Sequence, residues 1–143
     1  MRFRKSAHSV YKTEYHIVWT PRYRKKLFVE GVKQYAEKVL EHLEGLVDDI
    51  EVIKVNVQID HIHMVIVIPP RVSVAQTVQY IKSRSAKELK TKFPSMRKEI
   101  WGREGIWSRG YCVSTIGMSE KEILSYVEYQ EKEDKGQLKL DLG

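Results

Sequence analysis

The stretch Asp60-His61-Ile62-His63-Met64-Val65-Ile66-Val67-Ile68 decides how the rest of the chain reads. Apart from its two histidines it is continuously apolar and rich in β-branched residues, the pattern of a strand buried inside a sheet. Successive strand side chains alternate faces, so His61 and His63 share one face, roughly 6.6 Å apart. Two imidazoles at that spacing can close on one metal ion. The pair also reads as hydrogen-bonded core histidines.

Working outward, residues 50–58 alternate as a partner strand, with Ile53, Val55 and Val57 on one face and Ile59-Asp60 as the turn between the two. Pro69-Pro70 ends the second strand. Upstream, residues 30–47 carry apolar side chains at Val32, Tyr35, Ala36, Val39, Leu40, Leu43, Leu46 and Val47, an amphipathic helical stripe. Residues 10–19 read as a strand and 20–26 as a basic loop. Downstream, Ser73 is placed to cap a helix over 74–93, with Val74, Val78, Ile81, Leu89 and Phe93 inward and Lys82, Lys87 and Lys90 outward. Pro94 stops it, and 94–109 form a basic loop. Residues 110–116 read as a fourth strand. Ser119-Glu120-Lys121-Glu122 is a capping box opening a last helix that runs to about Asp134, with 137–143 expected as a flexible tail.

The predicted order is β-α-β-β-α-β plus a helix. That is an α+β fold, a ferredoxin-like antiparallel sheet with both crossover helices on one face. The third strand is central in this plan, and the final helix is the natural cover for the histidine face. At 143 residues the chain reads as a single domain. Its one cysteine, Cys112, excludes an internal disulfide framework and fits a reducing cytoplasm. No apolar run approaches the ~20 residues of a membrane span, and no apolar signal core follows the basic start.

The net charge of +6 falls in blocks. Residues 1–26 hold eight Lys and Arg against one acid, and residues 82–109 nine against three, whereas 27–81 and 119–143 are acidic. Two basic patches suit nucleic acid, and otherwise are solvated surface. Arg22, Arg24, Lys25, Lys26, Lys82, Arg84 and Lys87 are candidate phosphate contacts. Trp19, Tyr23, Trp101 and Trp107 lie in or beside the basic blocks, where aromatics can stack on bases.

On the last helix Tyr126 and Gln130 are four apart and share a face. A tyrosine hydroxyl is a nucleophile, weak at its free pKa near 10, that a divalent ion can assist by polarising a phosphate. The Gln130 amide oxygen offers a third ligand, and the mixed nitrogen and oxygen set suits Mg²⁺ or Mn²⁺. Alternatively Tyr126 is a packing aromatic and Gln130 a surface residue. Tyr129, about 60° around the helix, also approaches the face and reads as a packing or DNA contact.

His61-Ile62-His63, Tyr126-Val127-Glu128-Tyr129-Gln130 and Trp19-Thr20-Pro21-Arg22-Tyr23-Arg24 together resemble the IS200/IS605-family single-tyrosine (HUH-type) transposases, over essentially the whole chain. The resemblance implies a metal held by His61, His63 and Gln130, and attack by Tyr126 on single-stranded DNA. It implies a 5′-phosphotyrosine link with a free 3′-OH, and recognition of hairpins at element ends. It also implies a homodimer with shared active sites, in which Gly117 is a hinge before the tyrosine helix. Three other readings are an RNA-binding module on the same fold, a domesticated relative that cleaves palindromic hairpins without transposition, and a non-catalytic dimer. The aromatic-free strand 61–68 argues against the first.

Overall fold

The computed structural model describes residues 3–43, 45, 46, 48–94 and 105–142, those from 137 to 142 by their backbone alone. In chain order the elements are β1 (Arg4–Lys5), β2 (Val10–Tyr11), β3 (Glu14–Trp19), a 3₁₀ turn (Arg22–Arg24), α1 (Val32–Glu41), β4 (Glu51–Gln58), β5 (His61–Val67), α2 (Val74–Lys92), β6 (Cys112–Ser114) and α3 (Glu120–Leu142). The main sheet has the order β4-β5-β3-β6 with every pair antiparallel, the ferredoxin-like plan with the histidine strand inside. β1 and β2 form a separate hairpin, so the long first strand expected over 10–19 is two strands interrupted at Lys12 and Thr13.

One face of the sheet turns Ile17, Trp19, Val57, Ile62, Met64 and Ile66 into the main core, against Val32, Ala36 and Leu40 of α1 and Val78, Ile81 and Leu89 of α2. Burying this much branched apolar surface at about 25 cal/mol per Å² is the main force holding the helices down. The opposite face carries a much smaller cluster, in which Val18 packs on Ile123 and Val127 of α3.

Three local features differ from the sequence-based expectation. In β4 the register shifts between Val52 and Lys54, so Ile53 bulges out and is exposed while Val52 takes its place against the core. One extra residue against one on the partner strand breaks the strict alternation. α1 stops at Glu41, and Leu43 and Leu46 reach the core from the following turn. In that turn Gly45 takes φ +82°, a backbone that side chains rarely adopt, and a Cβ there would lie 2.2 Å from the Tyr80 hydroxyl. Val47 lies outside the described residues. Finally, the expected tail continues α3 to Leu142, because Gly136 interrupts nothing. A helix-interior glycine costs about 1 kcal/mol and does not by itself end a helix. The caps agree with expectation. The Gln76 N–H donates to Ser73 Oγ at 3.2 Å, and Ser119 and Glu122 close a reciprocal box at 3.0 and 3.1 Å.

Candidate active site

The strand register places His16 opposite Val65, Val18 opposite both His63 and Cys112, and Gln58 opposite His61. His16, Val18, His61, His63 and Cys112 therefore share the sheet face that α3 covers. His61 is buried, and its Nδ1 pairs with Asp60 Oδ1 at 2.9 Å. That contact fixes the ring and leaves Nε2 as the free nitrogen, the usual way a carboxylate orients a metal-binding imidazole. Asp60 in turn accepts from Arg24 Nε at 2.9 Å. Burial works to raise the Asp60 pKa, but the bonds from His61 and Arg24 outweigh it and hold the carboxyl below the ordinary range.

His63 Nε2 lies 3.1 Å from His16 Nδ1, with the rings stacked at 5.3 Å. Burial first, and then the charges of His16, Lys54 and His61, push the His63 pKa below the usual imidazole value. A neutral imidazole is the form a metal takes. No sequence motif marks His16. Its signal was present, since it shares the parity of Val18 on a strand beside His63.

On α3 the Tyr126 hydroxyl donates to Gln130 Oε1 at 3.1 Å, as the i, i+4 spacing predicts. Burial, and then the neighbouring Cys112, Asp134 and Tyr129, push the Tyr126 pKa well above that of a free phenol. Gln130 is itself buried, and its Nε2 donates to Asp134 Oδ1 at 3.0 Å. Asp134 Oδ2 accepts from the Tyr23 N–H at 2.9 Å and from the Ser108 hydroxyl. Tyr23 and Arg24 have φ of 60° and 54°. This left-handed pair costs of order 1 kcal/mol per residue, and it aims the Tyr23 N–H at Asp134 and the Arg24 side chain at Asp60 and Glu131.

Gly110 closes the Tyr126 side of the site. A Cβ there would lie 2.6 Å from Gln130 Oε1 and 3.5 Å from the Tyr126 hydroxyl. Tyr126 and Gln130 are thus joined to each other, and the two histidines sit together on the sheet. Among the described residues, neither Tyr126 nor Gln130 hydrogen-bonds or stacks with His61 or His63. Tyr129 is exposed, its ring 6.5 Å from that of Tyr126. At Gly117 a Cβ would meet only the His16 ring at an ordinary 3.9 Å, so packing does not demand glycine there.

The basic candidates separate sharply. Lys26 and Lys87 are exposed. Arg22 is buried, with its guanidinium 5.4 Å from the Tyr23 ring. Lys25 is half-buried. Arg24 is bound to Asp60 and Glu131, and Arg84 pairs with Glu88 at 3.3 Å. Lys82, expected outward, turns in and donates to the carbonyls of Ser108 and Gly110 at 2.7 and 3.1 Å. Its stem crosses onto the 105–111 segment, whose irregular backbone leaves those carbonyls to be satisfied. Trp19 and Trp107 are core residues, edge to face at 5.8 Å, and do not offer faces to bases. Trp101 and most of the 94–109 loop lie outside the described residues.

A sequence model of the family described as "Transposase IS200 like" matches residues 9–130. The transposase for insertion sequence element IS200 of Salmonella typhimurium is 33% identical over 90% of this chain and 84% of its own length. The ISDra2 transposase TnpA of Deinococcus radiodurans is 27% identical over 91% of this chain and 92% of its own. A crystal structure of a candidate transposase from Deinococcus radiodurans R1 superposes with a TM-score of 0.77 at 28% identity, covering 89% of this chain and 97% of that one.

Proposed function

The chain belongs to the IS200-like transposase family, and on that premise we propose that it cuts and rejoins single-stranded DNA through Tyr126, with a divalent ion held by His61, His63 and Gln130. The observation that carries this reading is the hydrogen bond from the Tyr126 hydroxyl to Gln130, on the helix that covers the histidine face. It puts an oxygen nucleophile and an oxygen ligand one turn apart.

The donor set fits Mg²⁺ or Mn²⁺. His61 offers Nε2 because Asp60 occupies Nδ1, and the depressed pKa of His63 keeps it neutral. His63 Nε2 is shared with His16, so ligation through that nitrogen displaces His16. When bound, the ion supplies positive charge that polarises the scissile phosphodiester. Tyr126 Oη attacks the phosphorus and the 3′-oxygen leaves. The new bond is a 5′-phosphotyrosine, the phenolic proton passes to solvent, and the departing 3′-oxygen gains one. One phosphodiester is exchanged for another, so a later attack by a 3′-OH rejoins DNA without ATP. Burial raises the Tyr126 pKa further above that of a free phenol, so the hydroxyl must give up its proton as it attacks.

Among the described residues no hydrogen bond or ring contact joins Tyr126 or Gln130 to His61 or His63, which leaves room in this reading for a homodimer in which α3 of one copy meets the histidines of the other. The substrate in this reading is single-stranded DNA bearing hairpins at the ends of an element.

The test is an adduct assay on labelled single-stranded DNA carrying the flanking element end, with Mn²⁺ or Mg²⁺. A metal-dependent protein–DNA adduct that disappears in Tyr126→Phe supports the reading. An adduct that survives there but is lost in Tyr129→Phe moves the nucleophile to Tyr129. Binding without any adduct leaves a DNA-binding protein and sinks the enzymatic reading. Mixing Tyr126→Phe with His61→Ala tests sharing, because each variant lends the other its intact half and restores adduct only if sites form between copies.

A further inference from the structure

An amide has two unlike ends, and the reading of Gln130 as an oxygen ligand needs the oxygen to face outward from its support. The support is Asp134, one turn along α3 and only 5% exposed. The Gln130 NH₂ is the end that meets it, with Nε2 donating to Oδ1 at 3.0 Å, and the other carboxylate oxygen already accepts two hydrogen bonds. Oε1 is then left for the Tyr126 hydroxyl. Tyr126 alone sets no such preference, since a hydroxyl both donates and accepts.

We infer that Asp134 is a positioning residue that sets the polarity of the Gln130 amide, turning its oxygen toward the nucleophile and the ligand position. The inference rests on the proposed roles of Tyr126 and Gln130.

Asp134 is well placed for this. Its Oδ2 is taken by the Tyr23 N–H at 2.9 Å and by the Ser108 hydroxyl, which also lies 2.9 Å from Thr20 Oγ1. Lys82, bound to the Ser108 and Gly110 carbonyls, adds a nearby positive charge. With Oδ2 held, only Oδ1 faces Gln130. Among the described residues, Tyr126 and Asp134 are the only hydrogen-bond partners of the Gln130 side chain, so nothing else fixes which way the amide lies. Gly110 leaves Oε1 the room it occupies.

This arrangement makes Asp134→Asn an inversion rather than a deletion. The Tyr23 N–H is a backbone donor and demands an acceptor, so the Asn oxygen goes to the Oδ2 position. Its NH₂ then faces Gln130, which must turn to accept with Oε1 and present Nε2 to Tyr126. A nitrogen carrying two hydrogens cannot bind a cation.

The experiment measures three things on the full chain: the side-chain amide resonances of Gln130 by NMR, Mn²⁺ affinity without DNA by calorimetry, and adduct formation. In Asp134→Asn the hydrogen-bonded amide resonance moves, while Mn²⁺ affinity and adduct each fall about 10- to 100-fold, the range for the support of a metal ligand. Adding Gln130→Glu to Asp134→Asn restores binding, because a carboxylate can accept from Asn and still offer an oxygen. Gln130→Glu alone sets two carboxylates together and does not rescue. Unchanged Gln130 resonances in Asp134→Asn overturn the inference, as does a double variant no better than Asp134→Asn. If the wild-type chain forms no adduct and binds no Mn²⁺, the proposed function fails, and the Gln130 resonances alone still decide whether Asp134 orients the amide.

Discussion

At the scale of single residues, the site is defined as much by what is missing as by what is present. Gly110→Ala would push a methyl group to 2.6 Å from Gln130 Oε1, against a side chain whose other end is tied to Asp134. Gln130 cannot swing away without breaking that bond. We expect adduct formation to fall by about 10-fold or more, with a loss of about 1–2 kcal/mol in stability from overpacking, read by urea denaturation. A variant with wild-type cleavage would show that the amide is not held as described. Lys82 gives a pH signature. Burial lowers its pKa to about 8, with the Asp134 charge opposing the shift. A base with a depressed folded pKa binds fewer protons in the folded state than in the unfolded one. Its burial penalty is therefore complete below pH 8 and is relieved as pH rises toward the unfolded value near 10.5. Stability measured at pH 7 and pH 9.5 should rise in the wild type relative to Lys82→Gln. A parallel pH dependence in the two proteins would mean that the ammonium is not buried.

At the scale of elements, α3 is the weakly held part. Its apolar anchorage to the sheet is Ile123 and Val127 on Val18, whereas α1 and α2 share the large core on the other face. The rest of its attachment is polar, through Asp134 to Tyr23 and Ser108 and through Glu131 to Arg24. Val127→Ala should cost about 2 kcal/mol, and hydrogen exchange should show the loss in α3 amides while β3 and β5 keep their protection. Uniform loss over the whole fold would contradict separate docking. The elements also show which sequence signals carried information. β5, α2 and the Ser119 capping box were legible because burial, periodicity and caps agreed at each. The Ile53 bulge was not, because Ile53 is as apolar as Val52 and only strand register tells them apart. The helix expected to stop near Asp134 continues through Gly136 to Leu142. The shared sheet face of His61 and His63 and the contact between Tyr126 and Gln130 were legible from side-chain periodicity. Asp134 obeys the same i, i+4 rule after Gln130, but its importance lies in contacts with Tyr23 and Ser108, which sequence spacing cannot reveal.

At the scale of the whole molecule, the +6 charge is less available to DNA than its count suggests. Arg24 is neutralised by two carboxylates, Arg84 by one, and Lys82 is consumed by backbone carbonyls. Lys26 and Lys87 remain exposed from the same basic blocks. For a protein that binds single-stranded DNA, each phosphate neutralised adds about 0.7 to the slope of log K against log salt. Lys26→Ala and Lys87→Ala should each lower affinity while reducing that slope by about 0.7 if the residue contacts a phosphate. Lys82→Gln should leave the slope unchanged, with any affinity lost coming from a disturbed 105–111 segment. Fluorescence anisotropy with a labelled hairpin-bearing strand, titrated at several salt concentrations, separates the two cases. A reduced slope in Lys82→Gln would mean that binding pulls Lys82 off the Ser108 and Gly110 carbonyls. The segment beside Tyr126 would then rearrange when DNA binds, and the packed state with its protonated phenol would be the state before substrate.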